Sequence, residues 1–231
     1  SMIEFQLVSI DGGSVRNAIP RESLAVVAID REKSELFISE FNRIAGTIKL
    51  EYASIEEELS IEVTDADSEA KAVPQEEKLK IIKTIYAVHN GVFRMSPDIE
   101  GLVEASSSLA RVVVSEGEFS TQSLQRSSVE SSKDDVANTV RGPFEMMGCG
   151  VVQSGDYPGW QPNPNSEILK LMSRLYEDSF NEKPKIKACH AGLECGILSK
   201  HLPKVDMISF GPNIRAAHSP DEKCQLSSVQ Q

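Results

Sequence analysis

Positive charge is scarce in this chain: 24 lysines and arginines face 35 aspartates and glutamates, leaving a net charge of -11 and a pI near 4.9. No basic patch gathers the cations that remain, and a phosphate backbone would be repelled, which argues against nucleic acid as a partner. Long apolar runs are also missing. No stretch approaches the ~20 residues that cross a bilayer, and no signal-peptide pattern opens the sequence, so no membrane partner is expected. Aromatic residues make up only 6% of the chain, which predicts a mainly aliphatic core. The cysteines (Cys149, Cys189, Cys195 and Cys224) are too few and too irregularly spaced for a secreted disulfide framework. They fit the reduced thiols of a soluble cytoplasmic protein.

What is present is ordinary globular material. The 231 residues are 40% hydrophobic, enough for one large domain or two small ones. Residues 3–10 alternate as a strand closed by a turn at Asp11-Gly12-Gly13, and Leu24–Ile29 reads as a second strand. Over 33–50 the period changes, with Phe37, Phe41, Ile44, Ala45 and Ile48 marking an amphipathic helix. Acidic residues crowd 51–69 around alternating Leu59, Ile61 and Val63, the pattern of a strand with one solvated face. A helix over 75–89 carries His89 on its apolar face, where it reads as a packed or capping histidine.

After the turn at Ser96-Pro97-Asp98 the order repeats: strand segments Leu102–Leu109 and Ala110–Val114, separated only weakly, then Phe119–Ser127 and a helix from about Lys133. This is a loose internal duplication of a strand-strand-helix module, and it predicts an α/β layer with helices on one face of a sheet. The Pro/Gly cluster Asp156–Pro164 reads as an interdomain crossing that separates 3–155 from 156–231. Beyond it come a helix through Ile168, Met172 and Tyr176, capped by Asn165 or Ser166, and strands at Ile186–Ala188 and Val205–Phe210.

Strand, helix and strand suggest a βαβ unit, whose loops collect ligands. One such loop carries His190 and Glu194; the other carries His218, Asp221 and Glu222. Imidazole and carboxylates are the donors of a hydrolytic metal site, although a lone loop histidine is the blander reading of His218. A structural zinc site built from Cys189, His190, Cys195 and Cys224 is disfavoured by their spacing, and no cysteine opens a helix beside a histidine as a thiol protease requires.

Four segments in order resemble signatures of the aminoacyl-histidine (Xaa-His) dipeptidases, which belong to the co-catalytic zinc metallopeptidases that also include carnosinases. They are Arg16-Asn17-Ala18-Ile19-Pro20-Arg21, Tyr157-Pro158-Gly159-Trp160-Gln161-Pro162, His190-Ala191-Gly192-Leu193-Glu194-Cys195-Gly196, and the run from Gly211 to Glu222 around His218. The resemblance implies a cytoplasmic metallo-dipeptidase of α/β class. A two-layer α/β lid and dimerisation domain at 3–155 would precede an incomplete C-terminal part of the catalytic domain at 156–231.

It further implies that His218 ligates one of a pair of Zn2+ ions, with Mn2+ or Co2+ as alternatives. Asn17 would face the substrate from the lid. Arg126 would grip the dipeptide's C-terminal carboxylate through two parallel hydrogen bonds, which suit a guanidinium better than an ammonium. His190 and Glu194 would line the pocket; by its charge Glu194 is a candidate for holding the substrate's α-ammonium, or else it caps the adjoining helix. Small dipeptides are the implied partners, and a homodimer is compatible with the lid.

The family carries its remaining ligands and its general base in an N-terminal half whose motifs this chain lacks. The Gly-Gly-His-Ser-Gly segment is also absent, and Ala216-Ala217 stands where relatives carry Gly-Pro. The expectation is a C-terminal-half fragment without catalytic residues of its own, inactive alone because a single imidazole holds no metal pair. The alternative is a non-catalytic lid and dimerisation module.

Overall fold

The first alternating run becomes β1 (Gln6–Gly13), paired antiparallel with β2 (Ser23–Ala28), and Val8 is the extra residue of a bulge between the Leu7 and Ser9 pairings. This computed structural model describes residues 4–67, 70–163, 165–188, 190, 193–217 and 221–229. A helical stretch follows, α1 (Ser34–Tyr52), then α2 (Gln75–Ala87), β3 (Gly91–Met95), β4 (Val103–Ser115), β5 (Glu118–Ser127) and α3 (Glu130–Met147). The strands form one sheet in the order β2-β1-β4-β3, with β5 also on β4. β1 meets the end of β4 antiparallel, Ile10 opposite Val114 and Gly13 opposite Arg111.

Helices α2 and α3 share one face of this sheet. Leu7, Ile81 and Val114 form one buried cluster and Val88, Val140 and Phe144 another, and Phe119 of β5 packs against both. The core is aliphatic, as the low aromatic content predicts. His89 is half-buried and meets the Phe93 ring edge-on, with centroids 5.2 Å apart, which is the packed role read from its helical face.

The structure corrects several expectations. Residues 53–67 form turns and irregular chain, not a strand, and most of them are exposed. Their carboxylates remain hydrated, and β1 is paired with β2, with β4 over Ile10–Gly13, and with Val73 N–H at the Leu7 carbonyl. The expected weak break within 102–114 does not exist, because β4 is continuous; β3, only five residues long, gave too short a pattern to detect.

Farther along, α4 (Glu167–Phe180) and α5 (Glu194–His201) are followed by a small antiparallel pair, β6 (Ile214–Arg215) and β7 (Lys223–Cys224), and α6 (Leu226–Val229). Neither 186–188 nor 205–210 is a strand, so no βαβ unit forms among the described residues. Parallel strands need neighbours on both sides, and these segments find none there. Asp206 instead serves α4: its carboxylate accepts from Ser166 Oγ at 2.8 Å and Ile168 N–H at 3.1 Å. Ser166 in turn accepts from Leu169 N–H at 3.1 Å, so of the two candidate caps it is Ser166 that closes the helix start. These hydrogen bonds, led by that from Ile168, hold the Asp206 pKa below the usual aspartate value.

By contacts the chain divides into two compact units. The first comprises Ser1–Phe93, Ser106–Gln125 and Asp134–Val152; the second comprises Arg94–Ala105, Arg126–Lys133 and Gln153–Gln231. Among the described residues, no helix is long and apolar enough to cross a membrane.

Ile81 is 3% exposed at the centre of the first cluster, whereas Tyr86 on the same helix is 91% exposed. Ile81→Ala is expected to cost roughly 2–5 kcal/mol, and Tyr86→Ala within about 0.5 kcal/mol. Urea unfolding midpoints of the two variants measure the difference; equal midpoints would show that α2 does not close this core.

Candidate functional site

The second unit is organised around the Pro/Gly segment. Gly159 lies against the buried end of β5: a Cβ there would stand 2.7 Å from the Ser127 carbonyl oxygen and 2.8 Å from that of Ser128. Gly196, buried in the first turn of α5, lies against the segment's other side, where a Cβ would stand 2.5 Å from the Pro158 carbonyl oxygen. Both separations are shorter than a carbon–oxygen contact tolerates, so only glycine fits at either point. The segment is thereby wedged between the residue after Arg126 and the helix that begins at Glu194.

The first turn of α3 grips the same segment. Lys133 Nζ donates to the Tyr157 carbonyl at 2.9 Å and pairs with Asp156 at 2.7 Å and Glu130 at 2.8 Å. Glu130 also accepts from Gly159 N–H at 2.6 Å. Burial opposes the Lys133 charge, yet its hydrogen bonds to Asp156 and Glu130 raise its pKa above the usual lysine value. The bond from Lys133 holds Asp156 below the usual aspartate value; at Glu130 burial pushes upward, but Lys133 and the Gly159 N–H prevail and lower it. Nearby, buried Glu104 accepts from Ser132 Oγ at 2.9 Å and pairs with Arg94 at 3.3 Å, so its carboxylate is compensated.

Arg126 and His190 both belong to this unit, and the Arg126 charge acts on the His190 ring. Arg126 is half-buried near the end of β5, and His190 is half-buried ahead of α5. Burial first, then the Arg126 charge, holds the His190 pKa below the usual imidazole value, so the ring is neutral at pH 7. A guanidinium and a neutral imidazole suit a carboxylate-bearing ligand: the first supplies charge and paired donors, the second one more hydrogen bond. Glu194 is exposed as the first residue of α5, whose N-cap is Leu193, so it contributes acidity to the first turn and does not cap.

Asn17 belongs to the first unit, exposed in the connection between β1 and β2. His218, between β6 and β7 in sequence, and Cys189, ahead of α5, both lie outside the described residues. Among the described residues, no three His, Cys, Asp or Glu side chains come together to hold a metal. Gly159 and Gly196 fall inside two of the quoted segments and Lys133 marks the expected helix start, but no packing or ion-pair role was read for them or for Glu130. The i,i+3 pair of Glu130 and Lys133 is a visible pattern, but nothing in it says that it reaches residues 156–159.

Comparison with known proteins places these features. The chain is 34% identical over 227 residues to the cytosol non-specific dipeptidase of Escherichia coli, covering 98% of this chain and 47% of that protein. It superposes with a TM-score of 0.87 and 36% identity on the crystal structure of aminoacylhistidine dipeptidase from Vibrio alginolyticus, covering 98% of this chain and 46% of that one. No protein-family model matches. The chain is a homologue of dipeptidases. More particularly, its likeness to the cytosol non-specific and aminoacylhistidine dipeptidases runs through nearly all of its residues, and it spans about half the length of the relatives it matches.

Two outcomes follow from the site. Gly196→Ala is expected to destabilise the second unit by roughly 1–3 kcal/mol through overpacking, read from the emission of Trp160, the chain's single tryptophan. In an NMR titration His190 should protonate below the usual imidazole range. Arg126→Gln should move that midpoint upward without fully restoring it, because burial is the larger cause. A midpoint unmoved by the substitution would separate the two side chains.

Proposed function

We propose that this chain supplies the substrate-gripping part of a cytoplasmic metallo-dipeptidase acting on Xaa-His-type dipeptides, and that it is inactive alone. The observation that carries the reading is the chain's relation to two dipeptidases along 98% of its length, with the Arg126 charge acting on His190 beside it. In this role Arg126 binds the free C-terminal carboxylate and neutral His190 hydrogen-bonds the peptide. Exposed Glu194 attracts the α-ammonium, and Asn17 contributes from the lid region at 3–155. His218 ligates one zinc ion of a pair, with manganese or cobalt as substitutes. The other ligands come from residues that this chain does not contain, and residues 156–231 are part of the catalytic domain they complete.

Zinc content and Xaa-His hydrolysis, measured on this chain and on a full-length form in parallel, test the reading. Metal and activity are expected only in the full-length form. There, Arg126→Lys should raise KM about tenfold, since hydrogen bonds to charged groups contribute roughly 1.5–3 kcal/mol and the ammonium loses the paired geometry. If neither form binds metal or cleaves dipeptides, the chain is a lid and dimerisation module without catalytic purpose.

A further inference from the structure

We infer that Arg111 is a positioning residue for dipeptide binding: it clamps the base of the β1–β2 connection and so fixes Asn17, at the tip, for contact with substrate. The inference rests on the reading that Asn17 faces a dipeptide in the full-length form. It adds a residue of β4 that lies outside the four segments resembling dipeptidase signatures.

The connection has little support of its own. Residues 14–22 are turns and irregular chain, and all but Ala18 are exposed, Val15 at 55% and Ile19 at 83%. None of them belongs to either buried cluster of the first unit. Gly13 N–H donates to the Glu22 carbonyl at 3.0 Å and closes the base. Ala18 N–H donates to the Val15 carbonyl at 3.1 Å and makes the turn that carries Asn17 in its third position. With no apolar anchor at the tip, the direction in which Asn17 points depends on how the base is held.

That base is held from β4. Gly13, the last residue of β1, stands opposite Arg111 in the antiparallel ladder. The Arg111 guanidinium donates to the Gly13 carbonyl and pairs with the Asp11 carboxylate. Gly13 has a φ of +73°, and a Cβ there would stand 1.9 Å from the Ala110 carbonyl oxygen, so the chain leaves the sheet pressed on β4. Only glycine permits this approach, and glycine is also the residue least able to fix its own backbone. Arg111 supplies the restraint that Gly12-Gly13 lacks: a charged donor on the carbonyl from which the connection departs. The ion pair itself is partly open to water, with side-chain exposures of 25% for Arg111 and 65% for Asp11. Such a pair adds little stability, and its effect here is on geometry.

The test has two arms. On the 231-residue chain, trypsin cleavage after Arg16 and Arg21, both exposed in the connection, reports its local freedom. Arg111→Gln should speed that cleavage about fivefold or more with circular dichroism unchanged. In the full-length form, Arg111→Gln should raise KM for an Xaa-His dipeptide about fivefold, the scale of one ordinary hydrogen bond, with kcat within about twofold. Arg111→Lys, which keeps the charge and a donor, should recover most of that loss. In an Asn17→Ala background Arg111→Gln should change KM no further, because Arg111 acts through Asn17. Additive losses, or a KM unmoved by Arg111→Gln while the unmodified form cleaves dipeptides, overturn the positioning role and leave the dipeptidase reading standing. Unchanged trypsin cleavage in the Arg111→Gln chain overturns the clamp in the same way. A full-length form that cleaves no dipeptide overturns the dipeptidase reading itself, and the positioning role with it.

Discussion

Two backbone contacts that admit no side chain set the arrangement of the second unit. Gly159 rests on the Ser127–Ser128 carbonyls and Gly196 on the Pro158 carbonyl. Through them the end of β5, the Pro/Gly segment and the start of α5 become successive layers. The Lys133 cluster then locks the segment by its backbone as well as by charge. Glycine at these positions is a packing requirement; Asp156 and Glu130 are the electrostatic counterpart that keeps a partly buried ammonium charged.

The two units are held by different physics. The first closes over Leu7, Ile81, Val114, Val140 and Phe144, with α2 and α3 on a sheet whose long central strand, β4, takes three partners. In the second, the buried side chains are mostly polar and the order comes from caps, ion pairs and glycine contacts. Hydrogen bonds fix geometry while contributing modest net stability.

The first unit was largely legible in the sequence because its elements bury local, periodic stripes. The alternation of β1 and the three-four spacing in α1 and α2 name their elements without reference to anything distant. Legibility failed where the pattern needs a partner. Val205–Phe210 alternates like a strand, but a strand is a relation between two backbones, and Asp206 spends its carboxylate on α4 instead. The acidic run after α1 alternates too, yet hydrated carboxylates and an occupied sheet edge leave it irregular. At the candidate site, His190 and Glu194 were named from their loop and, with Arg126, through family resemblance; the two glycines lie inside quoted segments, but their packing role and the ion pairs of Lys133 act through contacts distant in sequence and were not read.

The central claim is that Arg126, beside a neutral His190, is built to receive a free carboxylate. The most direct measurement compares binding of a dipeptide and its C-terminal amide to the full-length form. The account predicts that the amide binds about tenfold or more weakly, because a charge-assisted pair is lost, and that Arg126→Gln removes the difference. Equal binding of acid and amide by the unmodified protein would contradict it.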